Sequence, residues 1–185
     1  MRIIAGKYKG INITVNVPEG VRPTQDALRE TIFNILYNYM EIEGARSLDL
    51  FAGTGALGLE ALSRGASECV FVEKNPRVCG IIKSLLKKLP GQAPAASVVC
   101  REAVKFLSKY DAGANPFDLI LADPPYEAPL HADILLQIAE RNLLSPQGTI
   151  MLETKKNFSV IPPAGLMILD ERTFGDSKVF FLKNK

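Results

Sequence analysis

Short apolar runs of strand length alternate along the chain with stretches whose apolar residues recur at helical spacing. The pattern predicts strands at 47–51, 69–73, 96–100, 117–122 and 148–153, with helices at 56–64, 76–89, 103–110 and 130–142 between them. Upstream, residues 1–17 read as a β-ribbon. Thr24 can then cap a helix that carries Leu28, Ile32, Ile35, Leu36 and Tyr39 on one face. The tail has no helical stretch: Leu166 to Arg172, the turn Phe174-Gly175-Asp176-Ser177 and Lys178 to Leu182 read as two hairpin strands. Alternation of this kind implies an α/β fold, with parallel strands and ligands gathered at their carboxyl ends.

Three stretches at those carboxyl ends carry chemistry. Ser47-Leu48-Asp49-Leu50-Phe51 is a buried strand running into Ala52-Gly53-Thr54-Gly55-Ala56-Leu57-Gly58 and an apolar helix. Glycines spaced G-x-G-x-x-G let the backbone pass close to a ligand and let the helix pack on the strand. By itself the string is common. Glu73 sharpens it, because it ends the next strand about twenty residues on, where a carboxylate accepts from the two hydroxyls of a ribose. Capping of the helix that starts at Asn75-Pro76 is the alternative role for Glu73.

The third stretch is Asp123-Pro124-Pro125-Tyr126, directly after the apolar run Phe117 to Ala122. Proline fixes φ and lacks an N–H, so the carbonyl beside it joins no ladder and can face a ligand. That carbonyl and the Asp123 carboxylate can accept both hydrogens of an exocyclic amine while Tyr126 stacks on the attached ring. An isolated Asp-Pro-Pro would more simply be a turn closing a strand. Its company in this chain favours the ligand.

Asp49 to Gly58, Glu73 and Asp123 to Tyr126 resemble, in order, the motifs of amino-directed S-adenosylmethionine methyltransferases. Arg2 to Lys7, Arg22-Pro23-Thr24 and Arg29 to Asn34 are similar to the amino-terminal signature of one branch, the RsmD-like 16S ribosomal RNA (guanine-N2)-methyltransferases. The likeness spans nearly the whole chain. It implies a Rossmann-like class I methyltransferase fold: a mostly parallel seven-stranded sheet with a C-terminal antiparallel hairpin, helices on both faces, and an N-terminal β-ribbon. It implies S-adenosylmethionine held by Asp49, Phe51, Ala52, Gly53, Thr54, Gly55, Gly58, Glu73, Lys74, Glu102, Ala103 and Asp123. Catalysis falls to Asp123, Pro124, Pro125 and Tyr126, and substrate RNA to Arg2, Lys7, Lys9, Arg22, Thr24 and Arg29. Two positions depart from the family pattern. Glu102 stands where an Asp is common, and Ala27 stands where the branch often carries a basic residue.

Composition bounds this reading. With 185 residues, 47% of them hydrophobic, the chain suits a single methyltransferase domain over 1–185, with 1–20 as an RNA-contacting extension. No run of eighteen apolar residues or secretory signal is present, so a cytoplasmic protein is expected, and a monomer is expected as well. Three widely spaced cysteines and one histidine disfavour disulfides and metal, and Cys69 and Cys100 read as buried thiols in apolar strands. His131 reads as a helix-face residue. Net charge is only +2, but Met1 to Arg29 holds five basic residues against two acidic ones, a ribbon suited to phosphates or simply to a lysine-protected edge. Lys83, Lys87 and Lys88 read as a solvated helix face.

The expected partner is ribosomal RNA, naked or within a small subunit. The expected reaction is transfer of a methyl group to a guanine N2 amine. The competing readings are the same chemistry on another base, a protein glutamine or a small molecule, an NAD-dependent dehydrogenase, and a noncatalytic RNA-binding module.

Overall fold

The computed structural model describes residues 2–13, 26–91, 95–111, 113, 115–125 and 130–185. Among these, the elements in chain order are α1 (Asp26–Leu36), β1 (Arg46–Leu50), α2 (Ala56–Ser63), β2 (Glu68–Glu73), α3 (Pro76–Lys88), β3 (Ala95–Cys100), α4 (Ala103–Leu107), β4 (Phe117–Ala122), α5 (His131–Glu140), β5 (Leu144–Lys155), β6 (Leu166–Phe174) and β7 (Ser177–Asn184). The strands form one seven-stranded sheet in the order β3-β2-β1-β4-β5-β7-β6. β1 to β5 run parallel, and β7 pairs antiparallel with both β5 and β6. The progression through the sheet reverses between β1 and β4. Ligands of open α/β sheets collect at the carboxyl ends beside such a switch.

Strand alternation sorts the core into two layers. Cys69 and Phe71 of β2, with Leu119 and Leu121 of β4, pack against α1, α2 and α3. Val70 and Val72, with Ile120 and Ala122, point the other way against α4 and α5. Burial on both faces explains why these parallel strands read as continuous apolar runs.

Several expectations shift in detail. The buried stripe of α1 is Arg29, Ile32, Phe33 and Leu36, and Tyr39 lies beyond the helix, donating its hydroxyl hydrogen to Asp170 at 3.0 Å. β5 begins at Leu144, four residues before the predicted strand, with a register shift opposite Phe117/Leu119. α4 is three residues shorter than the apolar pattern suggested, ending at Leu107. Cys100, expected to be buried, is exposed because β3 is the sheet edge, whereas Cys69 is buried as expected. His131 lies on α5 as a helix-face residue, and that face is buried, with the Phe158 ring packed against it. Of the N-terminal ribbon, residues 2–13 show one isolated antiparallel bridge, Arg2 to Asn12, and the rest falls outside the described residues. Among the described residues no helix is long and apolar enough to cross a membrane.

Candidate active site

The glycine loop is shaped by three left-handed residues in alternation. Phe51 (φ 57°), Gly53 (φ 52°) and Gly55 (φ 77°) curl the chain off β1 and into α2. Phe51 adopts this conformation without glycine's freedom, a cost typical of binding loops. Gly55 supplies the left-handed N-cap of α2. Gly58 is required for a different reason. A Cβ there would strike the Phe71 ring and lie 2.8 Å from Cys69 Sγ and 2.9 Å from Asp49 Oδ2, so only glycine lets α2 sit this close to β1 and β2.

Two carboxylates pin the loop. Asp49, 1% exposed, accepts the Gly58 N–H at 2.9 Å. Burial, aided by the nearby Glu73 charge and opposed by that hydrogen bond, raises its pKa to about 7. Half-buried Glu73 accepts the Gly53 N–H at 3.0 Å through Oε2 and the Asn75 N–H at 2.8 Å through Oε1. Asn75 in turn caps α3 by accepting from the Arg77 N–H, so Glu73 braces the helix start as well as the loop. A carboxylate has about four lone-pair sites, so Glu73 retains acceptor capacity for hydroxyls. The spare carboxylate acceptors thus fit the hydroxyls of a ribose.

Across the edge of β2, Arg101 donates its N–H to the Glu73 carbonyl at 2.9 Å and brings the start of α4 beside it. Glu102 is exposed there and pairs with Lys105 at 2.5 Å, an interaction that lowers its pKa with minor help from Lys74. Ala103 is buried below it. Ala52 and Thr54 are buried within the loop, and Lys74 is exposed at the end of β2.

The Asp-Pro-Pro turn leaves the sheet at the next position. β4 ends at Ala122, which is paired with Leu50 of β1 on one side and Leu152 of β5 on the other. Asp123 is therefore half-buried one residue beyond the central strand, next to the strand that carries the glycine loop. Pro124 is buried and Pro125 exposed, and the three residues belong to no helix or strand. Tyr126, Arg22 and Thr24 lie outside the described residues.

The residues expected to meet RNA divide. Arg2, Lys7 and Lys9 are exposed. Lys7 and Lys9, however, ride a turn whose backbone is bonded to Ser63 at the far end of α2, about 12 Å of helix from the glycine loop. Arg29 must be corrected. Its side chain is fully buried, paired with Asp26 at 3.1 Å and Glu60 at 3.5 Å and donating to the Arg2 carbonyl, so it anchors the N-terminal segment from inside.

Sequence reasoning missed Glu60. This fully buried acid accepts the N–H groups of Ile4 (2.9 Å) and Ala5 (3.0 Å) and pairs with Arg64 at 2.8 Å. Its signal was present: Glu60 is the one charged residue in the otherwise apolar helix ALGLEALS.

Comparison with known proteins agrees with this geometry. The family described as "Conserved hypothetical protein 95" matches residues 1–183. The chain is 37% identical to ribosomal RNA small subunit methyltransferase D of Haemophilus influenzae over 95% of this chain and 89% of that one. It is 34% identical to the Escherichia coli protein of the same name, over 95% and 85% respectively. A solved structure from Escherichia coli superimposes with a TM-score of 0.86 at 30% identity, covering 100% of this chain and 98% of the other. The sheet order, the pinned glycine loop and these matches together place the chain in the RsmD-like family of class I methyltransferases.

Proposed function

We propose that the protein is an S-adenosylmethionine-dependent methyltransferase acting on ribosomal RNA, and that its target is the exocyclic N2 amine of a guanine in the small-subunit RNA. The observation that carries this reading is the adjacency of two turns. The Asp123 turn leaves β4 beside β1, whose own carboxyl end carries the loop braced by Asp49 and Glu73. When bound, S-adenosylmethionine supplies a methyl group on an electrophilic sulfonium.

The chain's residues align and polarise. Glu73 takes the ribose hydroxyls, Glu102, Ala103 and Lys74 border the adenine, and Asp49 holds Phe51 to Gly58 in the shape that receives the remainder. Asp123 and the Pro124 carbonyl accept the two amine hydrogens, directing the nitrogen lone pair at the donor and stabilising positive charge that grows on nitrogen. Tyr126 stacks on the base. An amine in folded RNA is reachable only on an unstacked base, so the substrate nucleotide is a loop residue or one flipped from its stack. Arg2, Lys7, Lys9, Arg22 and Thr24 extend the contact to flanking phosphates.

The names of the relatives support an RNA substrate, and the Asp-Pro-Pro-Tyr turn supports an amine. The test is deletion of the gene and mass spectrometry of ribosomal RNA nucleosides. One N2-methylguanosine should disappear, return with the wild-type gene, and stay absent with Asp123→Ala, which is expected to lower the transfer rate by a factor of about 10²–10³. RNA unchanged by the deletion would shift the assignment to a protein glutamine or small-molecule amine, and a different lost nucleoside to another base.

A further inference from the structure

Three elements meet at the carboxyl edge of the sheet one strand beyond Asp123, on the side away from the glycine loop, and the chemistry above uses none of them. β5 passes Ala122 at Leu152 and leaves the sheet at Lys155. The chain then folds back on itself: the Phe158 N–H donates to the Lys155 carbonyl at 2.9 Å, and the Lys156 N–H to the Asp176 carbonyl in the β6–β7 turn at 2.8 Å. Both lysines are exposed, and Phe158 keeps 36% of its surface in solvent.

His131 braces this loop from the other side. It opens α5, eight residues after Asp123, and its ring packs on Phe158 with centroids 4.4 Å apart and planes at 37°. The imidazole is only 4% exposed, yet among the described residues neither ring nitrogen has a hydrogen-bond partner. Burial lowers its pKa, which keeps the ring neutral at pH 7. An unpaired buried imidazole costs stability and calls for an explanation. A large exposed aromatic held by such a brace, with two cations at its foot, has the makings of a nucleic-acid contact: any base offers a π face, and lysines meet the phosphate.

We propose that Phe158, supported by His131, is a stacking platform for the RNA nucleotide flanking the target, with Lys155 and Lys156 receiving that nucleotide's phosphate. The inference rests on the ribosomal RNA reading. β5 neighbours β4 in the sheet, so the loop that carries Phe158 follows the strand beside the one that ends at Asp123. His131 is a positioning residue, and its ring shape matters more than its nitrogens.

Steady-state methyl transfer to small-subunit RNA, with cofactor affinity measured separately by calorimetry, tests the platform. Phe158→Leu keeps apolar contact with His131 but removes the π face; the KM for RNA should rise about tenfold with cofactor affinity unchanged. Phe158→Trp should bring KM back to within about twofold of wild type. His131→Phe should leave KM near wild type, and His131→Ala should raise it. Exposed Lys156→Glu, which cannot act through the core, should weaken RNA binding and reduce its salt slope by about one or more. A KM unchanged in Phe158→Leu, a Trp variant as impaired as Leu, or a salt slope unchanged in Lys156→Glu would each overturn the platform while leaving the RNA reading intact. Wild-type protein that methylates a protein or small molecule but no RNA would overturn both.

Discussion

The two ends of α2 are built on opposite principles. At its start the backbone is left-handed at three positions, Asp49 is sealed from water with a single N–H donor shown for its carboxylate, and Glu73 spends only part of its acceptor capacity. At its end the polar side chains of the helix itself, Glu60 and Ser63, are fully engaged. Glu60 takes two backbone N–H groups and two guanidinium groups, while Ser63 accepts the Tyr8 N–H on its hydroxyl, donates that hydroxyl to the Ala5 carbonyl, and accepts the Lys7 N–H on its own carbonyl. Buried polar groups with full partners fix structure, and those with capacity to spare await a ligand. The same helix therefore welds the N-terminal segment at one end and opens a binding loop at the other.

Removing the hub at the saturated end should have the largest effect. Glu60→Ala leaves two buried guanidinium groups without their shared carboxylate, and the expected loss is roughly 3–5 kcal/mol in a urea titration. A loss below about 1 kcal/mol would dissolve the contrast between the two ends.

Gly6 and Gly10 give a finer test, since both are left-handed (φ 79° and 85°) but in different surroundings. A Cβ on Gly6 would overlap the Ser63 carbonyl, whereas one on Gly10 meets nothing within 4 Å. Alanine at either site should cost about 1–2 kcal/mol of backbone strain. At Gly6 overpacking should add about 1–3 kcal/mol, visible as a markedly lower melting temperature than for Gly10→Ala.

The open end predicts a pH signature. The Asp49 pKa is about 7 in the folded chain against an ordinary 3.8, so ionisation favours the unfolded state. Its contribution to stability is complete below pH 3.8 and is lost as pH rises through about 7. Asp49→Asn should flatten the decline in stability across that window and make the protein more stable than wild type at pH 8. An unchanged pH profile would mean that Asp49 is not the buried acid described.

The smallest stability effect belongs to the exposed turn. Lys7→Glu with Lys9→Glu should change stability by no more than about 0.5 kcal/mol, while raising the KM for RNA if the N-terminal segment touches phosphate. Unaltered RNA kinetics would confine that segment to its structural role.

The order of elements and the nucleotide-facing loop were legible because they depend on local periodicity and on glycine spacing, both written along the chain. Glu73 could be picked out for the same reason: a strand ending in an acid at the right separation from a glycine loop is a one-dimensional pattern. Arg29 defeated this kind of reading. Its charge and its place in a basic N-terminal stretch suggested phosphate, whereas its position on the buried stripe of α1 gave it to Glu60, thirty-one residues away.

Cys100 failed likewise, since burial depends on which strand becomes the sheet edge, and the helix-face reading of His131 could not say which distant loop covers it. What the amino-acid order settled was the alternation of strands and helices, the bend at Gly53-Thr54-Gly55 and the carboxylates at strand ends. What only three-dimensional packing decided was which charges face water, which face each other, and that Phe158 lies against His131 one strand from Asp123. Short-range sterics and hydrophobic period fix the former, while the latter depend on contacts between residues far apart in sequence, which no local pattern encodes.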